Sequence, residues 1–281
     1  MRIFLFISLI TLSLSASAIV IRHDVDDKKY LAYPADFAAL ATLYVDGAHG
    51  TLIKPDWIVT AAHATFCINS GSYIGLNNGY HKVESVFVHK DYQPGKSHDI
   101  ALIKLVNPIK DVKPASLYEK TDELGKIMWF IGAGGTGNGL TGQTVDNYEN
   151  GGVLRKAENR IEQAEGPLLK FKFDRDDAAL PYEGISGGGD SGGPAYSTID
   201  GTNYLLGISS RVEGGNIGMY GVVEVYSRVS FFKPWIEKIT TGEETLQRQL
   251  AFPKLELLPA GLTKQILPEV CSDIGLKPDA I

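Results

Sequence analysis

The stretch Gly187-Gly188-Gly189-Asp190-Ser191-Gly192-Gly193-Pro194 sets one serine inside a run of glycines. Glycine accepts positive φ without a steric penalty and lets backbone approach a ligand closely, so this run predicts a tight turn presenting its serine. A serine hydroxyl is a weak nucleophile until a neighbouring base removes its proton. Two further stretches supply what is missing. Trp57-Ile58-Val59-Thr60-Ala61-Ala62-His63 is an apolar run ending in histidine, and His98-Asp99-Ile100-Ala101-Leu102-Ile103-Lys104-Leu105 sets an acid before a buried run. An imidazole needs a carboxylate to fix its tautomer and stabilise its cation. A tetrahedral oxyanion needs aimed backbone N–H donors, and a turn through residues 189–191 can direct two of them at one point. Taken singly, each residue has an ordinary reading: a histidine at a strand end, an aspartate capping a strand, a serine in a turn. Together, in this order, they point to acyl transfer.

Around these stretches the chain reads as all-β. Short apolar runs at 39–45, 57–61, 82–89, 100–105, 126–131, 168–173, 204–209 and 222–229 are separated by turn residues such as Asp46-Gly47, Asn77-Asn78-Gly79 and Gly214-Gly215-Asn216. Regular spacing of short strands predicts a barrel or sandwich, not alternating βαβ units. One helix is predicted over 231–240, with Pro234 in its first turn and Trp235, Ile236 and Ile239 on one face. A polar, proline-bearing crossing near 110–125 suggests a boundary between two halves.

Composition narrows the function classes. The chain has 281 residues and a formal net charge of -6, with no cluster of Lys or Arg, which argues against nucleic acid as a partner. Residues 1–18 carry Arg2, an apolar run from Ile3 to Leu14 and the small residues Ala16-Ser17-Ala18, the pattern of a cleaved secretory signal peptide. The expected product is therefore exported, secreted or periplasmic, with no membrane association after cleavage. The two cysteines, Cys67 and Cys271, leave two readings open: a bridge tying the tail near His63, or free thiols. Residues 241–281 have no strand periodicity and read as a C-terminal extension.

Through TAAH, DIALIKL and GDSGGP in that order, residues 19–240 resemble the trypsin/chymotrypsin family. The resemblance implies two perpendicular six-stranded antiparallel β-barrels, 19–125 and 126–240 with a closing helix, and a site in the cleft between them. It implies a serine endopeptidase that acts on polypeptides through an acyl-enzyme and needs no cofactor or metal; a monomer is the expected state. His63, Asp99 and Ser191 become the catalytic triad, with the N–H groups of Gly189 and Ser191 as the oxyanion hole and Ser210 on the triad aspartate. Cleavage after Ala18 would free Ile19, whose ammonium in this family pairs with the residue at Asp190 and shapes the oxyanion hole. The base of the substrate pocket falls at Ile185 and Ser186, where trypsins carry an aspartate. Val212 narrows it, and Glu224 aligns with a pocket-lining position where it could accept a basic side chain or stand instead as a solvated or internally hydrogen-bonded residue; Arg211 replaces the usual tryptophan. These substitutions predict a mixed or small-to-medium apolar preference.

The chain also departs from the family. Ala64 follows His63 where a cysteine is usual, and Gly187 replaces the cysteine before the nucleophile turn. Two rivals share the scaffold: a non-catalytic binding homologue and an esterase. Gly132-Ala133-Gly134-Gly135-Thr136-Gly137 matches a dinucleotide-site spacing but has no βαβ surroundings. Asp174, Asp176 and Asp177 read as an exposed acidic loop, and His23, His49, His81, His89 and His98 show no metal-ligand spacing along the chain.

Overall fold

The computed structural model describes residues 18–242, 258 and 261–278. The expected signal peptide, apart from Ala18, lies outside the described residues, as do parts of the C-terminal extension. Among the described residues, no helix is long and apolar enough to cross a membrane.

Strand β1 is Ile19–Ile21, and the first half then builds β2 (Leu40–Tyr44), β3 (Gly47–Lys54), β4 (Trp57–Thr60), β5 (Tyr73–Leu76), β6 (Gly79–Val88) and β7 (Ala101–Leu105). These six close on themselves in the order β2-β3-β4-β7-β6-β5. Closure leaves no edge to protect, and all four residues of β4 are buried: Trp57, Ile58 and Val59 are apolar, and Thr60 donates its hydroxyl to His49 O at 2.6 Å. Its neighbour β7 contributes Leu102, Ile103 and Leu105, each at most 1% exposed.

The second half uses β8 (Ser116–Leu117), β9 (Ile127–Gly132), β10 (Thr136–Asn138), β11 (Gly142–Val145), β12 (Arg155–Arg160), β13 (Gln163–Glu165), β14 (Leu168–Lys172), β15 (Gly184–Ile185), β16 (Pro194–Ile199), β17 (Thr202–Glu213) and β18 (Val223–Arg228). Its main sheet runs β12-β9-β16-β17-β18-β14-β13, with β8 added alongside β17. This second body curls without hydrogen-bonded closure, so the architecture is a closed barrel beside a half-barrel. A smaller sheet, β11-β10-β1-β15, takes the first described strand into the second half. Phe130, Phe171 and Tyr226 fill that half's core, each contributing about 1.5–3 kcal/mol by burial.

After the short α1 (Asn147–Asn150), helix α2 (Val229–Thr241) ends the body, burying Val229, Phe232, Ile236 and Ile239 against the first barrel. Helix α3 (Leu267–Ile274) belongs to the extension. It is joined to the barrel by a Cys67–Cys271 disulfide with Cα atoms 5.2 Å apart, which decides the question the sequence left open. Val45 N–H donates to Ile274 O at 2.9 Å beside it.

Candidate active site

Each half delivers part of one constellation. Strand β4 ends just before His63, which starts a one-turn 3₁₀ helix over His63–Thr65. Asp99 stands two residues before β7, the strand paired with β4, so the two side chains meet at one barrel end. Ser191 sits in the turn before β16. Backbone bonds dock this turn onto the first barrel: Ala48 N–H donates to Gly189 O at 2.7 Å and His49 N–H to Ser191 O at 2.8 Å. The close approach requires glycine. A Cβ at Gly192, whose φ is +77°, would lie 2.1 Å from Thr60 Oγ1 and 2.4 Å from His49 O.

The predicted residues form an unbroken hydrogen-bonded line. Ser191 Oγ is 2.8 Å from His63 Nε2, and His63 Nδ1 is 2.7 Å from Asp99 Oδ2. His63 N–H donates to Asp99 Oδ1 at 2.9 Å, so the carboxylate fixes both ring and backbone. Ser210 donates its hydroxyl to Asp99 Oδ2 at 2.6 Å. Ser227, not singled out in the sequence, donates to the Asp99 carbonyl at 2.8 Å. Burial alone would push Asp99 up, but the charge of His63 and hydrogen bonds from His63 and Ser210 outweigh it, leaving Asp99 below the usual carboxylate range. Burial would lower His63; the Asp99 charge and hydrogen bond outweigh it and raise the imidazole above its ordinary value. A base poised above the ordinary histidine range suits abstraction of a hydroxyl proton near neutrality.

The N–H groups of Gly189 and Ser191 have no hydrogen-bond partner among the described residues. Donors left free beside a nucleophile can receive an oxyanion. The turn before them is set by Gln143, whose Oε1 accepts the Gly188 N–H at 2.7 Å. No sequence signal marks Gln143, because its role depends on the β11 strand passing the loop.

Asp190 points the other way, into the protein. Its Oδ1 accepts the Gly134 N–H at 2.7 Å and its Oδ2 the Gly187 N–H at 2.9 Å. Burial pushes its carboxyl up to about 7, against the lowering by these two donors. The neighbouring His49 Nε2, 3.8 Å away, accepts the Ala133 N–H, and burial brings this ring down to about 4. The imidazole is therefore neutral near pH 7 and offers Asp190 no ion pair. The glycines of the dinucleotide-like stretch serve this carboxyl: a Cβ at Gly132 would lie 2.0 Å from Asp190 Oδ1, and one at Gly134 2.6 Å from its Cγ. Ile19, with φ +66°, has Thr136 of β10 as its register partner, two residues beyond Gly134. In the intact chain its nitrogen is a peptide nitrogen bonded to buried Ala18, with no charge to offer Asp190.

The predicted pocket residues separate into two environments. Ile185 is fully buried in a cluster with Val20, Phe173 and Val222, with Val212 packed against it. Glu224 lies 1% exposed, its Oε2 accepting the Ser186 N–H at 2.7 Å, and Ser186 Oγ is 2.7 Å from the Tyr226 hydroxyl. Burial pushes the Glu224 carboxyl up to about 8. Arg211 is turned to Glu213 at 2.6 Å. Away from this region, His89 and His98, unrelated by spacing along the chain, come together with ring centroids 5.0 Å apart.

Comparison with known proteins agrees with the architecture. A family model described as Trypsin matches residues 29–236. The chain is 30% identical over 209 residues to a protein named Trypsin from Saccharopolyspora erythraea, covering 69% of this chain and 87% of that one. It is 28% identical over 209 residues to Coagulation factor IX from Cavia porcellus, covering 66% of this chain and 70% of that one.

Proposed function

The chain belongs to the trypsin family, and from that premise we propose that it is a serine endopeptidase using Ser191 as nucleophile, His63 as general base and acid, and Asp99 as the orienting carboxylate. The observation that carries this reading is the continuous line Ser191–His63–Asp99–Ser210, with contacts of 2.8, 2.7 and 2.6 Å. Ser191 Oγ attacks the peptide carbonyl while His63 Nε2 takes its proton; the same nitrogen then returns it to the leaving amine, giving an acyl-enzyme that water hydrolyses. The developing oxyanion is received by the free N–H groups of Gly189 and Ser191. Loss of one such donor costs catalysts of this kind about 3–4 kcal/mol, so the rigid docking of the turn matters as much as the triad.

The scissile side chain enters beside Ser186, Val212 and Glu224. A buried, uncharged Glu224 favours small-to-medium apolar side chains at neutral pH. Cleavage after Ala18 completes the site: Ile19 is freed beside β10, and its ammonium gives the buried Asp190 carboxylate a partner. On this reading the protein is exported to the periplasm or the medium, and removal of the signal is itself the activating cut.

Hydrolysis of casein by protein beginning at Ile19 tests the proposal. Endoproteolytic fragments that disappear with Ser191→Ala support it. Turnover of small esters with no cleavage of casein under any tested pH would favour an esterase instead.

A further inference from the structure

The connection between β6 and β7 gathers a second set of chemistry-bearing side chains outside the Ser191 site. His89 follows β6, His98 lies three residues before β7, and Asp91 stands in the loop between them. One donor atom from each of the three lies within 4.8 Å of the others. His89 Nδ1 is 4.0 Å from Asp91 Oδ2. That nitrogen accepts the Asp91 N–H at 3.2 Å, so it is unprotonated, and a metal ion on the same lone pair would replace this long contact.

The histidines are held in place before any ion arrives. His89 packs on Phe232 and Trp235 of α2, with centroids 5.3 and 4.9 Å away, and His98 packs on Phe231 and Phe232 at 5.9 and 5.4 Å. His98 also keeps a left-handed backbone, φ +56°. That conformation is uncommon for a residue other than glycine, though histidine adopts it more readily than most. Asp91, by contrast, has a side chain 54% exposed and is free to close onto an ion. Zinc binds imidazole nitrogen and carboxylate oxygen at about 2.0–2.2 Å in a tetrahedron, which needs donors about 3.4 Å apart. The donors, within 4.8 Å of one another, would have to draw together by up to about 1.4 Å to reach that geometry, an adjustment to which the exposed loop aspartate can contribute.

We propose that His89, Asp91 and His98 form a binding site for a divalent transition-metal ion of the zinc type, with water in the fourth position. Two imidazoles and one carboxylate suit zinc, nickel or copper; calcium and magnesium require more oxygen donors. Because His98 directly precedes Asp99, an ion here braces the turn that carries the proposed triad carboxylate.

The test uses the intact, disulfide-bonded protein after treatment with a chelator. Zinc is titrated by calorimetry, with calcium as control, and nickel by quenching of Trp235, the tryptophan in contact with His89. The proposal expects one saturable zinc site of micromolar affinity, no calcium binding at it, and quenching by nickel. His98→Asn keeps a residue at ease with left-handed backbone, and the exposed Asp91→Asn leaves packing untouched; near-ultraviolet circular dichroism verifies that both are folded. Each should weaken zinc binding by about 10-fold or more. Zinc bound with unchanged affinity by both folded variants places the ion elsewhere and overturns the proposal, as does the absence of saturable binding in the unaltered protein.

Discussion

Ser210 and His63 share one oxygen of Asp99: the serine hydroxyl reaches Oδ2 at 2.6 Å and the imidazole Nδ1 at 2.7 Å. The serine thus holds the carboxylate that holds the histidine. Ser210→Ala removes a hydrogen bond to a charged group, worth about 1.5–3 kcal/mol. If the carboxylate loses its orientation by that amount, kcat falls by roughly 10- to 100-fold with little change in KM. Steady-state kinetics on a peptide substrate check this; a rise in KM alone would place Ser210 in substrate binding instead.

The His63 imidazole is raised above its ordinary value by Asp99, against the lowering that burial imposes. The base must be neutral to work, so activity is lost as pH falls through this raised value. The acid limb of the kcat/KM profile should therefore lie above the ordinary histidine range, and Asp99→Asn should move it downward while cutting kcat strongly. An acid limb unmoved by Asp99→Asn would mean that another group sets it.

Asp190 and Glu224 are buried carboxyls raised to about 7 and about 8 by desolvation. A folded-state value above the unfolded one gives stability that is complete below the unfolded pKa and lost as pH rises through the folded one. The chain retaining residues before Ile19 should therefore unfold at lower temperature near pH 8 than near pH 5. On the proposed activation, protein beginning at Ile19 gains an ammonium opposite Asp190, so its advantage over the longer form should grow with pH. Thermal melts of both forms across this range decide the matter; equal pH dependence in the two would remove Ile19 from the vicinity of Asp190's charge.

Glu224 also makes a specificity prediction. If it lines the substrate pocket as proposed, then, largely uncharged when that pocket is empty at neutral pH, it offers little to a lysine or arginine side chain. As pH rises through about 8, cleavage after basic residues should increase relative to cleavage after alanine, valine or leucine. The increase should vanish in Glu224→Gln, whose activity on apolar substrates stays within about 3-fold of the parent, given that the pocket volume is conserved. Cleavage confined to Lys and Arg, and indifferent to Glu224→Gln, contradicts this pocket.

The Cys67–Cys271 bridge joins positions 204 residues apart, a loop whose closure is worth about 5 kcal/mol on chain-entropy grounds. Cys271→Ser should lower the melting temperature while the geometry around His63 persists through Asp99. Melting and kcat measured on the same variant separate these effects: loss of both in equal measure would make the tail part of the site.

Much of this was legible in the sequence because chemistry and burial coincide there. β4 and β7 are apolar on every buried position except Thr60 and deliver His63 and Asp99 at their ends, so motif and strand are read together. β12 escaped because its sequence, Arg-Lys-Ala-Glu-Asn-Arg, is polar; its buried members are each satisfied across the fold, Arg155 by a two-pronged pair with Asp27 and Asn159 by the Lys172 and Gly184 carbonyls. Such partners lie far along the chain and leave no periodic trace. The start of β3 is hidden for a similar reason, Gly47 and His49 resembling turn residues though both are buried. The His89–His98 meeting was hidden because a loop, not a helical or hairpin spacing, brings the rings together.

The central claim is that Ser191 is a nucleophile activated by His63. Protein beginning at Ile19, treated with a fluorophosphonate and mapped by mass spectrometry, tests it most directly, with His63→Ala alongside. The account predicts a single adduct on Ser191 that is absent from the His63→Ala protein. An unlabelled Ser191 in folded, unaltered protein, or an adduct equally strong without the histidine, would contradict it.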